Sequence, residues 1–389
     1  MNKRRIFSVW IGFILLVFAF MLSACAQPDG EPLVTSSRTP AASVPQTTTE
    51  ASPTSSTSPT PTPRPYRLQP GDLLLAASED DIPALDVEDA DFVPAEAGNR
   101  EWDVDELVVG LELDGHARAY PVRLLSLHEV INDELAGVPV AVTWCPLCYS
   151  AIVFDRRVEG TTLTFAVSGY LLESNLVMFD RQTGTLWSQL LGQGIRGAHR
   201  GEWLKMYPSQ VTSWMAWQER HPETEVLSAA ALGRDAEKLI DPYVGYYSSG
   251  VSGLSAGGVS DDRLEDKALV VGLEASGEAA AYPLRELKEL GWIQSEVGNV
   301  PVLMVYDSDL EAPFVYSREL AEQVLDFELA GEPGILADQQ TQSRWRLKEG
   351  FAISGPLEGE ELDRMQARVT FWFSWVGLHP GTKLYEAND

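Results

Sequence analysis

The stretch Val108–Pro121 reads VVGLELDGHARAYP, and Val270–Pro283 reads VVGLEASGEAAAYP, identical at ten of fourteen positions. Working outward, the match continues through Gly137–Val140 and Gly298–Val302. After a four-residue deletion it resumes at Asp180 and Asp338, Trp187 and Trp345, and Trp214, Trp217 and His221 against Trp372, Trp375 and His379. A repeat of this length predicts a duplicated folding unit. It also supplies an internal control, because residues kept in both copies serve architecture, whereas reactive residues confined to one copy are candidates for function.

Within each copy the pattern is α+β. Leu107–Leu113, a turn at Asp114 and Gly115, and Ala117–Val122 predict a hairpin. Apolar residues at 124, 125, 127, 130, 131 and 135 predict a helix over Leu124–Leu135, stopped at Gly137. Val138–Trp144, Ala151–Asp155, Thr161–Val167 and Leu176–Asp180 are β-rich runs parted by Gly, Asp or Ser. A Trp-rich helix over Thr212–Arg220 closes the unit, with His221 before Pro222 as its cap. The expected organisation is two homologous tandem units, each a mostly antiparallel sheet with one or two helices. The first covers 67–240 and the second 265–389, joined by a Gly/Ser/Tyr connector over 241–264.

The N-terminus sets the compartment. Lys3, Arg4 and Arg5 precede an apolar run from Ile6 to Met21, and Leu22 to Cys25 reads LSAC, the grammar of a lipoprotein signal peptide over 1–24. Cys25 is then the lipidation site, and the body is exported and held at the extracytoplasmic face by its membrane anchor. Residues 25–66, rich in Thr, Ser and Pro, cannot bury enough apolar surface to offset chain entropy and read as a disordered linker. A net charge of −28 argues against nucleic acid as a partner. An envelope protein or cell-wall component remains open; the oligomeric state is not encoded legibly.

The control singles out one cluster. Thr143–Tyr149 reads TWCPLCY, whereas Val305–Glu311 reads VYDSDLE. His128 faces Leu290, and His199 with Arg200 faces Leu357 with Glu358. Two thiols three positions apart, completed by imidazoles, suit a soft metal, so Cys145, Cys148, His128 and His199 form the leading expectation, copper before zinc. Met178, replaced by Leu336, is a weaker thioether candidate. Such a centre would serve carriage, sensing or electron transfer. Thiol–disulfide exchange by Cys145 and Cys148 is the alternative, and a static disulfide or a non-catalytic binding module with a groove between the units are others. Asn132, Ser168, Asn175, Trp187, Gln189 and Arg200 are candidate pocket residues. No Ser-His-Asp grammar, P-loop or dinucleotide fingerprint appears, so whether the chain is an enzyme stays open.

The ordered motifs HEVIND at 128–133, TWCPLC at 143–148, Ser168 with Gly169, MFDR at 178–181, WSQ at 187–189 and Gly197 with Gly201 together resemble the bacterial and archaeal DUF3179 family. The resemblance spans the body from about Gly71 onward and implies membership without a mechanism.

Overall fold

The computed structural model describes residues 65–254 and 261–386. The signal segment, Cys25 and most of the linker lie outside the described residues, as do 255–260 of the connector. Among the described residues no helix is long and apolar enough to cross a membrane.

The opening motif folds as an antiparallel hairpin, Leu107–Leu113 against His116–Pro121, and its repeat does the same, Leu269–Ala275 against Glu278–Pro283. The glycine common to both copies has a packing reason. A Cβ on Gly110 would stand 2.3 Å from the ring of Trp217, and one on Gly272 would stand 2.4 Å from that of Trp375. Each strand is therefore stripped of its side chain where the Trp-rich helix, Trp214–Arg220 or Trp372–Leu378, lays an indole across it. His221 and His379 cap those helices and stack on the same tryptophans, with centroids 4.1 and 3.8 Å apart.

Among the described residues three larger sheets succeed one another in the first half and three in the same order in the second, each half adding one two-stranded ribbon. The hairpin sheet comes first. A meander follows, Val130–Leu135, Val138–Cys145 and Ser150–Asp155, mirrored by Trp292–Val297, Val300–Asp307 and Ala312–Ser317. A third sheet is built from Phe165–Leu172, Asn175–Asp180, Leu186–Ser188 and Gln193–Arg196, and its mirror from Phe327–Leu329, Ile335–Asp338, Arg344–Arg346 and Phe351–Ser354. Nearly all pairings are antiparallel; Glu225–Leu227 and Lys383–Leu384 each add one parallel strand to a hairpin. The protein is α+β and dominated by sheet.

Asp180 and Asp338 show why the third sheet keeps its shape in both halves. Each fully buried carboxylate accepts the indole N–H of the tryptophan seven positions on, at 3.0 Å for Trp187 and 2.9 Å for Trp345. Each also accepts the N–H and hydroxyl of the threonine three positions on.

The helix expected over Leu124–Leu135 is shorter and starts earlier. It runs Val122–His128, and Val130–Leu135 is a strand. Between them Glu129 adopts φ 57°, a left-handed C-cap that breaks the helix. Tertiary pairing of Val130–Leu135 with Val138–Cys145 overrides the helical spacing. In the second half the same break falls at Gly291, φ 79°.

Candidate functional site

The sequence TWCPLCY is the turn of the central meander hairpin. Val138–Cys145 delivers the first cysteine, Cys145 pairs with Ser150 across the ladder, and Cys148 donates its N–H to the carbonyl of Cys145. The two sulfurs are joined in a disulfide, with Cα atoms 5.4 Å apart. Cys145 is 2% and Cys148 0% exposed. Tyr149 closes the turn at φ 55°.

The second half makes this turn without sulfur. Asp307 pairs with Ala312 as Cys145 does with Ser150, and Glu311 takes φ 51° where Tyr149 takes 55°. The Asp307 carboxylate bridges the loop by accepting the N–H groups of Asp309 and Leu310, at 2.9 and 3.3 Å, and pairs with Arg220 and Lys348.

Four elements cover the disulfide. The tight turn between Phe165–Leu172 and Asn175–Asp180 places Glu173 and Ser174 at φ 48° and 65° and aims the Ser174 carbonyl at the sulfurs, 3.4 Å from Cys148 and 3.9 Å from Cys145. The second half grips the loop backbone, since Thr370 Oγ1 and the N–H of Phe371 both donate to the Cys148 carbonyl at 2.9 Å. The connector contributes Tyr246, whose hydroxyl donates to the Leu147 carbonyl at 2.8 Å. Beneath the turn, Gln189 ties Thr143 to Ser150: its Nε2 donates to Thr143 Oγ1 at 3.2 Å and to the Ser150 carbonyl, and its Oε1 accepts the Ser150 hydroxyl at 3.1 Å.

Each of the two candidate histidines has its own contacts. His128 sits at the end of its helix with Nδ1 2.6 Å from the Pro83 carbonyl and Nε2 buried without a partner among the described residues; burial lowers its pKa. His199 stacks on Trp187 with centroids 5.9 Å apart and lies 3.6 Å from Glu159. Among the described residues no three His, Cys, Asp or Glu side chains are grouped so as to hold a metal ion. Met178 is fully buried and pairs across the ladder with Trp187.

The candidate pocket residues are largely spent on protein contacts. Asn132 bonds Asp86 and both backbone groups of Phe165. Ser168 Oγ donates to the Val177 carbonyl and accepts from Tyr170 at the strand irregularity. Asn175 joins the halves, its Oδ1 accepting the Ser374 hydroxyl at 2.9 Å. Trp187 is core, and Arg200 is exposed.

Sequence reasoning passed over Glu129, although the repeat marks it against Gly291. It is a non-glycine residue held in the left-handed region, only 7% exposed, with a carboxyl reached by the Tyr243 hydroxyl at 3.4 Å. Burial raises its pKa to about 7, against the smaller opposing effect of the Tyr243 hydrogen bond. Its carbonyl accepts the N–H of Trp144, one residue before Cys145. Close by, the Tyr247 hydroxyl approaches Ser126 and Trp144, yet among the described residues Tyr247 OH, Ser126 Oγ and Trp144 Nε1 are all buried without a completed hydrogen bond. Tyr149 bridges this polar group to the disulfide turn, packing on Trp144, Tyr247 and Phe371 with centroids 5.1 to 5.4 Å away. The left-handed backbone is shared with Gly291 and belongs to the fold; what the first half adds at this position is the buried acid.

The family model described as "Protein of unknown function (DUF3179)" matches residues 79–382. No curated protein and no solved structure matches the chain.

Proposed function

The chain belongs to the DUF3179 family, and from the site itself we propose that it is an exported, lipid-anchored thiol–disulfide redox protein with Cys145 and Cys148 as its working couple. The observation that supports this reading is the second half's turn, which closes with the same pairing and the same left-handed residue using Asp307 in place of sulfur. A pair of cysteines is therefore not a requirement of this hairpin. We read the two halves as copies of one unit, of which only the first has kept the couple.

The step balances as an exchange. A partner thiolate attacks one Sγ, forming a mixed disulfide and releasing the other cysteine as a thiolate that takes up a proton. A second partner thiol displaces the first cysteine, so two thiols become one disulfide while the pair gains two electrons and two protons. A more oxidising disulfide runs the reverse step and resets the couple. Once reduced, each thiol has the Ser174 carbonyl as acceptor. The burial of both sulfurs makes access conditional: the Glu173–Ser174 turn or the tyrosines of the connector must yield before a partner can reach them.

The test is equilibration in thiol–disulfide buffers, with the alkylated fraction read by mass spectrometry. An exchanging couple gives a midpoint in the range of about −300 to −120 mV. A pair that stays oxidised well below that range is a static bond and ends the proposal. Titrating the reduced protein with Cu(I) or Zn(II) examines the other use of the same sulfurs: a stoichiometric complex lost in Cys145→Ser would assign them to a soft metal instead.

A further inference from the structure

The two cysteines of the turn are held unequally. Among the described residues, the second half and the connector hydrogen-bond to this turn only at Leu147 and Cys148: Tyr246 donates to the Leu147 carbonyl at 2.8 Å, and Thr370 Oγ1 and the Phe371 N–H both donate to the Cys148 carbonyl at 2.9 Å. The Cys148 N–H is engaged as well, by the carbonyl of Cys145. Its sulfur stands 3.4 Å from the Ser174 carbonyl, whereas the Cys145 sulfur is 3.9 Å away. Cys148 has no exposed surface and Cys145 retains 2%. The repeat separates the two positions in the same sense. Leu310, the counterpart of Cys148, is likewise gripped at its carbonyl, by Thr212 Oγ1 at 2.5 Å, so anchoring at this position is architecture. Asp307, the counterpart of Cys145, sends its side chain beyond the turn to Arg220 and Lys348, each more than a quarter exposed.

Exchange asks different things of the two sulfurs. The one attacked must be reached from outside and must carry the partner in the mixed disulfide; the one released must rest inside as a thiol. We propose that Cys145 is the sulfur a partner thiol attacks and Cys148 the one released, an assignment that rests on the exchange reading above. The partner's thiolate bonds to Cys145 Sγ as the Cys145–Cys148 bond breaks, and the electron pair leaves on Cys148 Sγ. That thiolate takes a proton from solvent and donates its S–H to the Ser174 carbonyl, the shorter of the two sulfur contacts. The grip on its carbonyl keeps Cys148 in place meanwhile. A second partner thiol then displaces Cys145. In the reverse direction Cys148, deprotonated again, expels the partner from Cys145 and restores the bond.

The experiment exposes the oxidised full chain to reduced glutathione, quenches samples in acid, where thiolates are scarce and exchange stops, and maps the adduct by mass spectrometry of a peptic digest. Glutathione is expected on Cys145 in about tenfold excess over Cys148. A second measurement starts from reduced variants and oxidised glutathione: Cys148→Ser, which keeps Cys145, should form its mixed disulfide about tenfold faster than Cys145→Ser. The first arm needs no substitution, so a variant that folds poorly does not blunt the test. An adduct spread evenly over the two sulfurs, or placed mainly on Cys148, overturns the assignment while the exchange reading stands. A chain that takes up glutathione at neither sulfur ends the exchange reading and the assignment with it.

Discussion

Replacing Glu129 by glutamine should change how stability depends on pH, and the structure sets the size. The carboxyl moves from an ordinary value of 4.5 to about 7 on folding, because its burial outweighs the opposing hydrogen bond from the Tyr243 hydroxyl. Below about pH 4.5 both folded and unfolded chains carry the proton, and this residue introduces no pH dependence. Between about 4.5 and 7 the native protein holds a proton that the unfolded chain has released, so stability falls as pH rises. Above 7 the loss is complete. At about 1.4 kcal/mol per tenfold change in proton affinity, it amounts to about 3 kcal/mol. Glu129→Gln keeps the shape and a polar group for Tyr243 without the ionisation. It should match the parent near pH 5 and exceed it by up to about 3 kcal/mol at pH 8. Glu129→Gly, which copies Gly291, should flatten the same profile and relieve roughly 1 kcal/mol of left-handed strain. The assay is urea denaturation, disulfide intact, at half-unit steps from pH 5 to 8. If Glu129→Gln and the parent lose stability in parallel across that range, the carboxyl is not titrating inside the protein and the reasoning fails.

Four further outcomes are expected. Tyr246→Phe removes the hydroxyl that donates to the Leu147 carbonyl; it should speed exchange of the disulfide with glutathione about fivefold if opening of the cover limits the rate, from a bond worth about 1 kcal/mol. Changing both Cys145 and Cys148 to alanine opens a small loop and should cost about 2 kcal/mol, with the hairpin intact by circular dichroism; unfolding of the first half would make the disulfide a structural necessity. Asp180→Asn and Asp338→Asn should each cost about 2 kcal/mol and agree within about 1 kcal/mol, because the buried bonds are the same in both halves. Glu274 should behave oppositely to Glu129: burial alone would raise its pKa, but Arg368 and His379 bring it down to about 2. Its stabilisation is therefore full above the ordinary carboxylate range and fades as pH drops toward 2, and Glu274→Gln should remove about 3 kcal/mol at pH 7 as measured by denaturant midpoint.

The hairpins, the later strands of the meander and the Trp-rich helices were legible because alternation and turn residues are local signals, and the repeated glycine marked where an indole must cross a strand. The helix expected over Leu124–Leu135 misled because apolar positions 130 and 131 suit either period. The contrast of Glu129 with Gly291 held the information needed, since a glycine at a matched position reports a left-handed backbone. The site was half legible. Asymmetry between the copies led to Cys145 and Cys148, but proximity cannot be inferred from asymmetry. His128 turned to the Pro83 carbonyl and His199 to Trp187, contacts set by sheet packing that no spacing in the chain encodes. The covering elements were invisible for a similar reason: Ser174, Tyr246 and Thr370 come from three distant segments.

The grip of Thr370 and Phe371 on the Cys148 carbonyl has a consequence for heredity as well as for shape. A sulfur-bearing loop whose backbone is finished by the opposite lobe cannot be inherited alone. Cutting the gene between its lobes would leave the leading product with an unsatisfied carbonyl and a bared aromatic face. The trailing lobe, which carries no thiol, thereby serves as the clasp of the leading one.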